Sequence, residues 1–145
     1  MAPFVVTVTS PLPPEQAWER VTDWPRHGDH VPLTRVAVTT PAPAGVGTVF
    51  VARTGSRRVG FDDIMEIVEW APPADGDAGH CRIEKTGRVI LGWAELTVEP
   101  LGAGSRTTWR EEATPAHLPR FAEPLVRRST RLLFGRVVRR LLADR

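Results

Sequence analysis

The chain has 145 residues, 41% apolar and 25% charged, ordinary values for a soluble globular protein and enough chain for one hydrophobic core but not two. Its net charge of +2 hides an asymmetry: from His117 onward eight arginines face only Glu123 and Asp144, a local balance of +6, so the rest of the chain carries −4. A lone cysteine, Cys81, excludes a disulfide framework and a thiolate metal site, and no apolar run approaches the roughly 20 residues that span a bilayer.

In chain order, Met1–Thr7 lacks the basic and continuous apolar segments of a signal peptide, and a cytoplasmic location is expected. Phe4–Thr9 alternates, with Phe4, Val6 and Val8 on one side, as a half-buried strand does. Pro13 and Pro14 suit a helix start, where a missing N–H costs nothing, and Ala17, Trp18 and Val21 follow at helical spacing. Trp24-Pro25 ends that helix, because a residue before proline avoids the α region, and a short turn runs from Arg26 to His30. From Leu33 the period falls to two. Strands are predicted around Val36 and Val38, then at Val46–Thr54, Val59–Trp70, His80–Lys85, Arg88–Glu99 and Arg106–Ala113. Short Gly-rich links between them predict an antiparallel meander.

From about Leu118 the sequence reads as one amphipathic helix, begun or kinked by Pro119 and Pro124. At about 100° per residue Val126, Thr130, Leu133, Val137 and Leu141 form its central stripe. Arg128, Arg131 and Arg139 fall opposite, while Arg136 and Arg140 lie near the stripe's edge. Lys85 is the single lysine, and the arginine excess reads as compositional bias rather than chemistry. A sheet of this size must cover one face, and the long helix is the one large element left to do so.

Three groups of strings carry a family resemblance: Ser10-Pro11-Leu12-Pro13-Pro14-Glu15-Gln16-Ala17-Trp18 into Thr22-Asp23-Trp24-Pro25-Arg26-His27; Val68-Glu69-Trp70-Ala71-Pro72-Pro73; and Trp93–Pro100 followed by Gly104–Trp109. The chain resembles, over essentially its whole length, the START-like or SRPBCC superfamily, and within it the polyketide cyclase/dehydrase and lipid-transport group. The resemblance implies an α+β helix-grip fold: a curved antiparallel sheet of about seven strands around a long C-terminal helix, in a single domain over residues 1–145. It also implies a hydrophobic cavity between sheet and helix, since members bind sterols, lipids, polyketides or isoprenoid quinones, and a minority are enzymes. These strings mark a frame and not a catalytic motif.

Strand parity suggests what lines such a cavity. If Leu96 and Val98 face inward, Ile90, Gly92 and Ala94 do too, and the small pair Gly92 and Ala94 would leave room. On the last strand the same parity groups Thr107, Trp109, Glu111 and Ala113, with Arg53 a possible partner for Glu111 and with Glu112 turned away. Val59–Trp70 does not alternate cleanly, so either a carboxylate among Asp62, Asp63 and Glu66 points inward or a bulge shifts its register. His27 and His30 stand three apart on a short turn without an evident third ligand, so a role at the pocket mouth is favoured over a metal site. Phe121 and Leu125 are placed as gate residues where the helix begins.

The expected ligand-binding set is Trp24, His27, His30, Arg53, Gly92, Ala94, Trp109, Glu111, Phe121, Leu125 and Leu133, with no metal and no cofactor. The expected partner is a small hydrophobic molecule held without chemistry. The alternative is an aromatase/cyclase-type enzyme that moves protons with an inward His or Glu. No phosphate loop, no Gly-x-Ser-x-Gly elbow and no aromatic strand platform for nucleic acid is present. Membrane contact through the arginine-rich helix is the weaker third reading, and oligomeric state stays open.

Overall fold

The computed structural model describes residues 3–56 and 58–143. Strand β1 (Phe4–Ser10) leads into α1 (Pro14–Val21) and α2 (Trp24–His27), which runs on into a 3₁₀ turn at Gly28–His30. Then follow β2 (Thr34–Val38), β3 (Val49–Gly55), β4 (Gly60–Ala71), β5 (Gly79–Lys85), β6 (Ile90–Leu101), β7 (Gly104–Pro115) and the helix α3 (Glu123–Ala143). All strand pairs are antiparallel, in the order β1-β7-β6-β5-β4-β3-β2. The helix-grip architecture expected from the resemblance is present.

Two element boundaries move for local reasons. β3 begins at Val49 and not Val46, because the preceding residues form a loop with bonds of its own. Gly47, at φ +94°, donates its N–H to the Ile67 carbonyl at 2.8 Å, and the Gly45 N–H donates to Thr48 Oγ1 at 2.9 Å. α3 begins at Glu123 and not near Leu118. Pro119 is extended, a 3₁₀ turn occupies Arg120–Ala122, and Pro124 then sits in the first α turn, where it is tolerated.

Both alternatives foreseen for β4 occur. Phe61, Asp63 and Met65 face the cavity, and Ile67 is fully buried beyond them. The register then shifts between Ile67 and Glu69, which turns Trp70 inward against Trp18, ring to ring at 5.1 Å.

The inner face of the sheet divides along the strand axis. Toward one end Trp18, Val21, Ile67, Cys81, Ile83, Leu96 and Val98 pack solidly with Val138 and Leu142 of α3. Each fully buried aliphatic side chain there contributes roughly 1.5–3 kcal/mol. Toward the other end the same strands contribute Asp63, Met65, Lys85, Ile90, Trp109, Glu111, Ala113 and Pro115, and α3 contributes Val126, Thr130 and Phe134. There the sheet and helix stand apart.

Gly92 shapes that end. Its φ is +133°, and a Cβ would collide with the Glu112 carbonyl oxygen on β7. Glycine is therefore required for the backbone path of β6, which corrects the expectation that Gly92 simply leaves room. Gly92→Ala is expected to cost roughly 2–3 kcal/mol, read as a lower urea midpoint with unchanged m-value.

Candidate functional site

The gap between the sheet and the N-terminal half of α3 is a cavity of about 220 Å³. Its apolar wall includes Val36, Phe50, Ala52, Met65, Ile90, Ala113, Val126 and Phe134. Aromatic stacking holds its shape: Trp24 lies flat on Phe50 at 4.5 Å, and Phe134 packs between Trp109 at 5.6 Å and Phe4 at 5.8 Å. This packing selects Phe134, and not its neighbour Leu133, as the residue of that turn of α3 that faces the cavity. Leu133, predicted on the central stripe, instead borders a surface groove with Asp29, His30, Arg136 and Arg140.

One patch of the wall is charged. Lys85 Nζ, at the end of β5, lies 2.6 Å from Asp63 Oδ2 of β4, 3.8 Å from Glu111 Oε2 of β7 and 3.6 Å from Met65 Sδ. The Lys85 side chain is 1% exposed and that of Glu111 3%. Trp109 Nε1–H donates to Glu111 Oε1 at 3.1 Å. β6 lies between β5 and β7, and beyond the Glu84–Trp93 pair its next position is Gly92, with no side chain to stand between Lys85 and Glu111. Glu112, as predicted, faces away from Glu111 and accepts from Trp93 Nε1–H at 3.0 Å.

Of the residues predicted for the site, Trp24, His27, Trp109 and Glu111 line this cavity. The others do not. Arg53 is not the partner of Glu111: it reaches outward to Asp62 Oδ1 at 3.4 Å and the Ser56 carbonyl at 2.8 Å. Ala94, inward as expected, is packed in the solid core. His30 faces the surface groove beside Leu133. Phe121 and Leu125 stand exposed ahead of the wall formed by Val126 and Thr130. Among the described residues no group of three His, Cys, Asp or Glu side chains is placed to hold a metal ion, and no helix is long and apolar enough to cross a membrane. Sequence reasoning missed Lys85 and left Asp63 undecided among three carboxylates. The one usable signal for Lys85 was that the single lysine of an arginine-rich chain ends a strand.

A family model for polyketide cyclase / dehydrase and lipid transport matches residues 1–144. The chain belongs to this family. No curated protein matches. Among solved structures, this family member is similar to a STAR-related lipid transfer protein from Xanthomonas axonopodis, with TM-score 0.70 and 13% identity over 96% of this chain and 85% of that one. A protein from Thermus thermophilus is similar with TM-score 0.69 and 17% identity over 97% of each chain. The di-domain ARO/CYC StfQ from the steffimycin biosynthetic pathway is similar with TM-score 0.63 and 14% identity over 97% of this chain and 49% of that one. At these identities the likeness is one of fold.

The electrostatics of this family member's cavity follow from burial. Burial raises the Glu111 carboxyl above its ordinary range, and the nearby Asp63 charge adds to the rise against the pull of Lys85. Asp63 is raised by burial too, opposed by its contact with Lys85. Burial works against the Lys85 charge, but Glu111 and Asp63 outweigh it and keep the ammonium protonated. Lys85 is thus a fixed cation and not an amine nucleophile. His27 is pushed down to about 4, chiefly by burial, and is neutral near pH 7. Its Nε2–H donates to the Val21 carbonyl at 2.8 Å, which leaves Nδ1 as the ring's acceptor. Cys81 is pushed up to about 12, mainly by burial, and offers no thiolate.

Proposed function

We propose that this protein binds one small hydrophobic molecule in the cavity between the sheet and α3 and carries it unchanged. The observation that supports this reading is the cavity itself: apolar walls on most sides, with a single buried charged cluster to fix orientation. Its size bounds the ligand. An engineered cavity of about 150 Å³ accepts benzene, so about 220 Å³ suits a body of one or two rings.

Native mass spectrometry of the purified protein, followed by solvent extraction, tests the reading. A stoichiometric hydrophobic passenger is expected, and Ala113→Phe, which fills the cavity, is expected to reduce its occupancy at least tenfold. Full occupancy in a folded Ala113→Phe protein would overturn the assignment to this cavity. The Asp63–Lys85–Glu111 cluster favours a second reading, proton transfer on the bound molecule, because Glu111 holds a proton above the usual carboxyl range in a buried site. Extraction separates the two: a carrier returns an added ligand unchanged, an enzyme returns a product.

A further inference from the structure

In an antiparallel meander every second connection returns to the same end of the sheet. The connections β3–β4, β5–β6 and β7–α3 therefore gather at the end where the cavity lies, next to the lining residues Thr54, Phe61, Ile90 and Pro115. Backbone bonds tie them in place: the Gly55 N–H donates to the Leu33 carbonyl at 2.8 Å, and the Ala116 N–H to the Val89 carbonyl at 2.9 Å. Each of the three carries an exposed arginine followed at once by an exposed apolar residue: Arg58-Val59, Arg88-Val89 and Arg120-Phe121. Val59 is 78% exposed, Val89 45% and Phe121 88%. Leu33, beside Gly55, and Leu125, near the start of α3, are exposed as well.

A single exposed apolar residue is ordinary, but the same pair on three loops gives that end of the molecule one chemistry. Residues 56–59, 86–89 and 116–122 include no Asp or Glu. Among the described residues no carboxylate pairs with Arg58, Arg88 or Arg120. The opposite end reverses this: its connections, residues 11–13, 39–48, 72–78 and 102–103, hold Asp75 and Asp77 and no arginine. The basic, apolar end calls for a partner that is anionic and also takes up separate apolar tips. A bilayer surface of anionic lipids is both. Its phosphates pair with guanidinium groups, and its acyl boundary accepts side chains too scattered to fill one protein groove.

We infer that, beyond the binding role proposed above, these three loops dock the protein on an anionic membrane surface. Val59, Val89 and Phe121 enter the boundary between headgroups and acyl chains, and Arg58, Arg88 and Arg120 lie against the phosphates. Docking in this way holds the cavity end of the sheet against the lipid and turns Asp75 and Asp77 away from it. The contact lies in the loops and not along the arginine-rich second half of α3.

Flotation of the purified protein with lipid vesicles tests this. Binding is expected to an equal mixture of phosphatidylcholine and phosphatidylglycerol, about tenfold weaker on phosphatidylcholine alone and weakened by high salt. At about fivefold per arginine, Arg58→Gln, Arg88→Gln and Arg120→Gln together should weaken it about 100-fold. Phe121→Ala should weaken it about tenfold, through lost apolar burial. Arg136→Gln, Arg139→Gln and Arg140→Gln together remove the same charge from the second half of α3 and should change it by less than about threefold. Equal losses in the two triple variants would overturn the inference, because net charge alone would then account for binding. So would binding that Phe121→Ala leaves intact, or no binding to the mixed vesicles. Self-association in place of vesicle binding would assign the loops to a second copy and overturn it too. All seven substituted residues are exposed, so the variants are expected to keep the fold, which circular dichroism checks. None of these outcomes bears on whether the cavity holds a passenger.

Discussion

Lys85→Met is expected to lower stability by about 3–5 kcal/mol near pH 7, the cost of removing one partner from a buried ion pair. That is a large fraction of the roughly 5–15 kcal/mol that holds a domain folded. The reason is specific to this cluster: Lys85 is the cation that Asp63 and Glu111 share, and their side chains are 16% and 3% exposed, so water cannot take over its role. The loss should shrink as the pH is lowered toward 4, because the two carboxyl groups then become neutral. A triple variant, Asp63→Asn, Lys85→Met and Glu111→Gln, is expected to recover most of the loss, since it removes the buried charges together. Urea denaturation of the single and triple variants at pH 7 and pH 4 makes the comparison. A single variant that loses less than about 1 kcal/mol at pH 7 would mean the cluster does not hold this end of the sheet together.

The second large effect is the dependence of stability on pH through His27. Its pKa is about 4 in the folded chain against 6.5 as the ordinary value, because the ring is buried and burial disfavours its charge. A group whose folded pKa is depressed gives its full contribution above the unfolded value. That contribution is lost as pH falls, because the unfolded chain binds a proton that the native state refuses. At about 1.36 kcal/mol per unit, the window from pH 6.5 down to 4 removes about 3 kcal/mol. Asp63 and Glu111 act in the opposite sense: their raised pKa values add relative stability as the pH falls. The wild-type curve is therefore a sum. Comparison with His27→Gln isolates the histidine part, since glutamine cannot titrate but can still donate to the Val21 carbonyl. The stability difference between wild type and variant is expected to shift by about 3 kcal/mol from pH 7 to pH 4, and a constant difference across that range would rule out a buried neutral His27.

These predictions converge on one end of the molecule, and it was the harder end to read from the chain. The last strand was legible. Thr107, Trp109, Glu111 and Ala113 share a face by the two-residue period, and β7 runs without a register break from Gly104 to Pro115. Trp24 and His27 were legible as neighbours on a short turn. Trp24-Pro25 does not stop the first helix, however: α1 already ends at Val21, and Trp24-Pro25 opens α2, where a proline in the first turn costs no hydrogen bond. β4 was not legible, because its bulge between Ile67 and Glu69 puts residues of opposite parity on the same face. Leu133 was misplaced for a related reason. A helical stripe is wide enough to admit either Leu133 or Phe134, and the rings of Phe4 and Trp109 decide for Phe134.

The sequence by itself determined the order of elements, the antiparallel meander and the covering helix, because each rests on periodicity and turn residues within a few positions of one another. Its local strings carried the family resemblance. Tertiary structure alone decided the cavity's chemistry. Asp63, Lys85 and Glu111 come from three strands, and they meet because β6 carries glycine where Lys85 must pass and because α3 seals the space above them. Buried charge depends on which side chains share a dry volume, and no local pattern encodes that. The same lysine that reads along the chain as an accident of composition is, in the folded protein, the cation on which the polar end of the cavity depends.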